Sequence, residues 1–157
     1  MNDPMEGMYY YHWADEYTHD LVQRIGSEKE KLGICSLSQK NDNQLMWSHY
    51  SDGNKGLVID LELNDQGADL KPVRYVNEFI RTEIYGSLQG KAREILSTKL
   101  KAWEYEEEQR VFVSNEFVNI EIKEVILGAR MPQATKVFLK DLLKKLNDQI
   151  QVIEQNI

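Results

Sequence analysis

The chain has a single cysteine, no long apolar run, and fewer basic than acidic residues, 19 against 26. With Cys35 alone, no internal disulfide can form. No basic neighbour in Gly-Ile-Cys-Ser-Leu would stabilise a thiolate, so Cys35 reads as a small buried hydrophobe in a strand. No stretch approaches the roughly eighteen apolar residues that span a bilayer. The start Met-Asn-Asp-Pro-Met-Glu is acidic where a secretory leader is basic and then apolar. A soluble cytoplasmic protein is expected. The formal charge of −7 withholds the basic face needed to blanket phosphates, so nucleic acid is not an expected partner. Repeats, low-complexity tracts and linkers are also missing, and 157 residues fit one domain.

Apolar periodicity sets out the elements. Tyr17, Leu21, Val22 and Ile25 recur at helical spacing between Ala14 and Leu32, with Gly33 as the stop. A strand is expected over 33–38, and Asn41-Asp42-Asn43 caps a brief helix through Leu45, Met46, His49 and Tyr50. The turn 51–56 follows, and then the strand 57–63, with Leu57, Ile59, Leu61 and Leu63 on its buried face. A second strand is expected over 72–76. Leu88, Ala92, Ile95, Leu96, Leu100 and Trp103 predict one long amphipathic helix reaching Tyr105. Strands over 110–114, 117–122 and 124–128 come next. Pro132 then opens a last helix with Leu139, Leu142, Leu143 and Leu146 facing the core, and 149–154 forms a closing strand. This order predicts an α+β fold: a single domain with a largely antiparallel mixed sheet packed by three or four helices.

Two stretches carry candidate chemistry. In Trp103-Glu104-Tyr105-Glu106-Glu107-Glu108-Gln109-Arg110, a strand starting by Glu106 would put Glu106, Glu108 and Arg110 on one face, with neighbours about 7 Å apart. Two carboxylates beside a guanidinium can hold a sugar hydroxyl or stabilise a cationic transition state, and like charges raise one carboxyl pKa. The alternative is a solvated acidic helix end. In the second stretch, Trp47, His49 and Tyr50 crowd against the glycine turn. They read either as a packed aromatic cluster or as one wall of a site. Lys55 in that turn is a candidate phosphate contact, although the turn lacks the Gly-x-Gly-x-x-Gly and P-loop patterns. His12 and His19 are spaced for one helical face, but they read as solvated positions, and no metal site is expected.

Asn2-Asp3-Pro4-Met5-Glu6, Ile34-Cys35-Ser36-Leu37-Ser38, Leu45-Met46-Trp47-Ser48-His49-Tyr50 with Lys55-Gly56, Val73-Arg74-Tyr75, Trp103-x-Tyr105-Glu106-x-Glu108-x-Arg110 and Val125-Ile126-Leu127-Gly128 follow one another along the chain. Together they resemble the signature of the bacterial domain-of-unknown-function family 2971 across nearly the whole chain. That family has no settled activity. Its members usually carry histidine where this chain has Asn54, and a further N-terminal segment with a strand ahead of the Asn-Asp-Pro motif. On that comparison the chain looks shortened, with a sheet edge left open and a homodimer expected through the edge or the uncovered face.

The resemblance implies a polar cleft formed by Ser36, Ser38, His49, Lys55, Tyr75, Glu106, Glu108 and Arg110. A Ser-x-Ser strand followed by Glu-x-Glu is similar to ADP-ribosyltransferases that use NAD. On that expectation Glu108 is the catalytic carboxylate, assisted by Glu106 and His49. Trp47 and Tyr50 stack on the base, Lys55 or Arg110 meets phosphate, and Ser36, Ser38 and Tyr75 line the site. NAD or another nucleotide would be the substrate, with no cofactor required. The alternative expectation is a non-enzymatic interaction or regulatory protein of a defence or mobile-element system, in which the same residues form a structural polar network. A toxin paired with an antidote is a third.

Overall fold

The computed structural model describes residues 5–11, 16–64, 67–81, 86–113 and 117–156, with the backbone alone described for 16–18. In chain order the elements are α1 (Glu16–Glu30), β1 (Gly33–Ser38), α2 (Gln44–Tyr50), β2 (Leu57–Leu63), β3 (Asp69–Pro72), β4 (Arg74–Val76), α3 (Leu88–Leu96) and β5 (Thr98–Leu100). A 3-10 turn (Lys101–Glu106), β6 (Glu108–Val113), β7 (Ile120–Leu127), α4 (Gln133–Leu146) and β8 (Gln151–Glu154) complete the series. The class is α+β, as expected, with the described strands in three small sheets: β1-β6-β3, β2-β7-β8 and β4-β5. No described helix is long and apolar enough to cross a membrane. The chain divides into two compact units, Met1–Gln39 with Gly67–Val118, and Lys40–Gln66 with Asn119–Ile157.

The first unit is built on β6, which pairs antiparallel with β1 on one side and β3 on the other. Helices α1 and α3 lie together, and Ile25, Ala92, Ile95, Leu96, Val111 and Phe112 are buried. The expected helix to Tyr105 stops at Leu96. Ser97 ends it by donating its N–H to Glu94, and the Thr98 hydroxyl takes the same carbonyl, so the last turn closes on itself. Residues 98–100 then pair parallel with β4, an alternative that the β-branched Thr98 favours and that helical periodicity does not reveal. The expected strand 72–76 is likewise two strands in two sheets. At the joint the buried Val73 donates its N–H to the Glu108 carbonyl. The beginning of the expected 14–32 helix and Ser114 of the expected 110–114 strand fall outside the described residues.

In the second unit β7 is central, antiparallel to β2 and parallel to β8, with α4 crossing between β7 and β8. The expected strands 117–122 and 124–128 are one strand. Lys123 is its extra residue, because Ile122 faces Leu61 while Glu124 faces Asp60. Such a bulge bends the strand and resembles a break in the apolar alternation. Val125, Leu127 and Met131 form the core, with Leu57, Ile122, Leu139, Leu143, Ile150 and Val152 against it. Leu142 and Leu146 were expected there but are exposed, at 38% and 71%. Lys136 and Lys140 both bind Glu154 of β8, which turns the lysine side of α4 toward that strand and rolls the opposite flank outward. Ile59 is also exposed. A helix about 10 Å wide covers roughly two strands spaced 4.8 Å apart, and β2 is the third.

The Ser51–Gly56 turn is fastened to the end of β7. Asp52, Gly53 and Asn54 have positive φ, conformations that Asp, Gly and Asn tolerate best. The Asn54 carbonyl accepts from Arg130 N–H at 2.9 Å, and the Gly56 carbonyl from Gly128 N–H at 2.9 Å. A Cβ on Gly128 would lie 2.3 Å from the Asn54 carbonyl oxygen and 2.8 Å from that of Gly56. Gly128→Ala should therefore destabilise the protein by about 1–3 kcal/mol through overpacking against backbone that cannot yield. Gly26→Ala, where a Cβ on α1 meets nothing within 4 Å, should stabilise it by up to about 1 kcal/mol. Urea denaturation of the two variants checks the pair; an unchanged midpoint for Gly128→Ala would mean that the turn can move away.

Candidate functional site

The polar residues of the first unit converge on Arg110. Strand register places Ser36 opposite Arg110 and Ser38 opposite Glu108, so the Ser-x-Ser strand runs beside Glu-x-Arg. The strand begins at Glu108, not Glu106. Glu106 ends the 3-10 turn, and Glu107, at φ 44°, takes a left-handed conformation that swings the chain into β6. The expected sharing of one strand face therefore holds for Glu108 and Arg110 only. Glu106 joins them from the turn, through Lys99.

The charged groups form one buried network. Arg110 Nε donates to Glu108 Oε1 at 2.7 Å and Nη2 to Oε2 at 3.2 Å, a two-pronged pairing. Nη1 donates to the Leu96 carbonyl, and Nη2 also meets the carboxylate of Glu6. Lys99 Nζ bridges Glu106 at 2.5 Å and Glu108 at 2.8 Å. The five side chains are 0–8% exposed. Tyr75 accepts the Glu108 backbone N–H on its hydroxyl at 2.8 Å, and the Ser38 hydroxyl donates to the Glu106 carbonyl at 2.8 Å. Lys99 also stands 5.5 Å from the centre of the Trp103 ring, within cation–π range.

Titration follows from these contacts. Burial pushes the Glu108 carboxyl up, but hydrogen bonds from Arg110, Lys99 and Ser36, with the Arg110 charge, outweigh it and hold the group below its ordinary value. Burial pulls Lys99 down, yet bonds to Glu106 and Glu108 leave it raised. Arg110 is raised in the same way, by Glu108 and Glu6 against its burial. The Tyr75 hydroxyl is pushed up, chiefly by burial. A general base works best when its pKa lies near the working pH. Glu108 is instead held ionised, with both oxygens already accepting from cations.

The other candidates belong to the second unit. Asn43 caps α2, its side chain accepting from Leu45 and Met46 N–H. This short helix turns Trp47 inward, 2% exposed, with its indole N–H on the Asn41 carbonyl at 2.7 Å. A ring so enclosed offers no stacking surface. His49 and Tyr50 are exposed, and Lys55 is half-exposed in a 3.2 Å ion pair with Asp52 of its own turn. His19 is exposed on α1, and His12 lies outside the described residues. Sequence reasoning missed two members of the network as site residues, Glu6 and Lys99. Glu6 stood in plain view in the Asn-Asp-Pro-Met-Glu motif. Lys99 was hidden by the helix drawn through it, although a lysine between Leu96 and Leu100 in an apolar stripe is a signal that a buried anion awaits it.

No family model, no curated protein and no solved structure matches the chain.

Removing one partner from a buried ion network leaves the others uncompensated. Glu108→Gln should therefore cost about 3–5 kcal/mol, read as a loss of denaturant midpoint. The lowered Glu108 pKa contributes stability that is present above the unfolded carboxyl value of 4.5 and is lost as pH falls through the folded value. Wild-type stability should accordingly drop on acidification below about pH 4.5, where an unfolded glutamate protonates. The Glu108→Gln variant should show a shallower drop. Parallel acid slopes in the two proteins would remove Glu108 from the account.

Proposed function

We propose that the chain is a non-enzymatic interaction or regulatory protein of the cytoplasm, in which the serine, tyrosine, glutamate and arginine motif residues form a structural polar network, with Glu106, Glu108 and Arg110 buried, Tyr75 half-buried and Ser36 and Ser38 exposed at its edge. The observation that carries this reading is Glu108: buried, held ionised, and with both carboxylate oxygens taken by Arg110 and Lys99. An ADP-ribosyltransferase needs its carboxylate turned toward the ligand's ribose, and breaking this network to free it would expose two buried cations to loss of their partner. The enclosed ring of Trp47 removes the expected base-stacking surface as well.

Titration calorimetry with NAD and with ADP-ribose, together with an NAD-consumption assay, tests the proposal. The expected outcome is no saturable heat and no turnover in the wild type. Nucleotide binding that is lost in Glu108→Gln while the melt is unchanged would overturn it and restore the catalytic reading.

A further inference from the structure

The second unit exposes more apolar surface along one helix than its own sheet can cover. Phe138, Leu142 and Leu146 recur every four residues on α4, and they are 62%, 38% and 71% exposed. At about 100° per residue this stripe runs along the flank away from Lys136 and Lys140, which are tied to Glu154 of β8. It therefore overhangs the β2 side of the sheet. There Ile59, opposite the core residue Val125, and Ile120, opposite Leu63, extend the exposed apolar area on the same sheet face. Single exposed apolar residues are ordinary, but a contiguous stripe joined to an uncovered strand marks an interaction surface.

We infer that this flank of α4 docks a second copy of the chain, its helix antiparallel to the first. The inference rests on the interaction reading above and names the partner. Charge complementarity argues for self-pairing. Asp141 and Lys145 stand one turn apart on the outer border of the stripe, both exposed. When two α4 helices cross antiparallel about Leu142, Phe138 of each copy faces Leu146 of the other. Asp141 of each then lies within about 3 Å, along the axis, of Lys145 of the other, at 1.5 Å rise per residue. The pairing is reciprocal, as a closed two-fold contact requires.

Sedimentation velocity of the full chain at micromolar concentration tests the inference, with thermal melts alongside. The wild type is expected to sediment as a dimer. Phe138→Asp, at an exposed position outside the core of the unit, is expected to stay folded and to weaken self-association by roughly 30-fold or more, the loss usual for a buried aromatic anchor. Leu146→Lys, in the last turn of α4, repeats the test should Phe138→Asp fold poorly. Asp141→Lys and Lys145→Asp should each weaken the dimer, and combining them should restore it. A single 18.4 kDa species for the wild type overturns the inference. So does a dimer indifferent to Phe138→Asp and Leu146→Lys, or a chain that stays monomeric while another protein occupies the flank. The nucleotide titration is independent of all these outcomes: a dimer that binds NAD would sink the non-enzymatic reading alone, and a monomer that does not would sink only the self-docking.

Discussion

A fully buried guanidinium sets the terms for the first unit. Arg110 cannot shed its charge, so every direction around it must supply an acceptor. Glu108 takes the fork, Leu96 gives a carbonyl, and Glu6 reaches in from the start of the chain. Glu108 is then fixed by Lys99, and Lys99 by Glu106. The early end of α3 serves the same arginine. It frees the Leu96 carbonyl at the helix end for the arginine, and it brings Lys99 through on a strand. The left-handed backbone at Glu107 turns the 3-10 segment so that Glu106 and Glu108 address one lysine.

The second unit solves a different problem with less charge. Its turn after α2 is held by backbone-to-backbone contacts that only a residue without a side chain permits at Gly128, and the Lys55-Gly56 and Val-Ile-Leu-Gly motifs are the two sides of that contact. Motif residues that look chemical in a linear reading are here conditions for chain geometry. Asn54 illustrates this: its left-handed φ of 66°, which asparagine tolerates, and its carbonyl bond to Arg130 make it part of the turn.

The legible elements were those whose signal is local. Strand 57–63 alternates, Asn43 caps α2 as read, and Pro132 sits at the N-cap of α4. The α+β class followed from their order. The illegible parts were decided by distant partners. Helical spacing runs unbroken past Leu96, but the edge of β4, more than twenty residues earlier, captures 98–100. The bulge at Lys123 appears only when β2 is laid beside β7. Within the site, the meeting of Ser36, Ser38, Tyr75, Glu106, Glu108 and Arg110 was expected only from the resemblance, which also included His49 and Lys55 of the second unit, and what each group faces was not legible. Whether a carboxylate faces a ligand or a lysine depends on Lys99, whose position required the helix to stop.

The contact between Glu6 and Arg110 bears on how the first unit comes together in time. Arg110, Leu96, Lys99, Glu106 and Glu108 lie within fifteen residues and can meet early, but Glu6 is about a hundred residues away. Closing so long a loop carries an entropic cost that grows only slowly with length but must be met before the contact rewards it. Until Glu6 arrives, the guanidinium lacks one of its acceptors, and burial of β6 is correspondingly unfavourable. Displacing residues 5–11 would remove an acceptor from a guanidinium that is otherwise fully buried. Lys29 on the Gly7 carbonyl and Tyr10 N–H on the Ile80 carbonyl hold the same segment at two further points, so Met5 to Tyr11 is fastened at three places to the unit whose charge it completes.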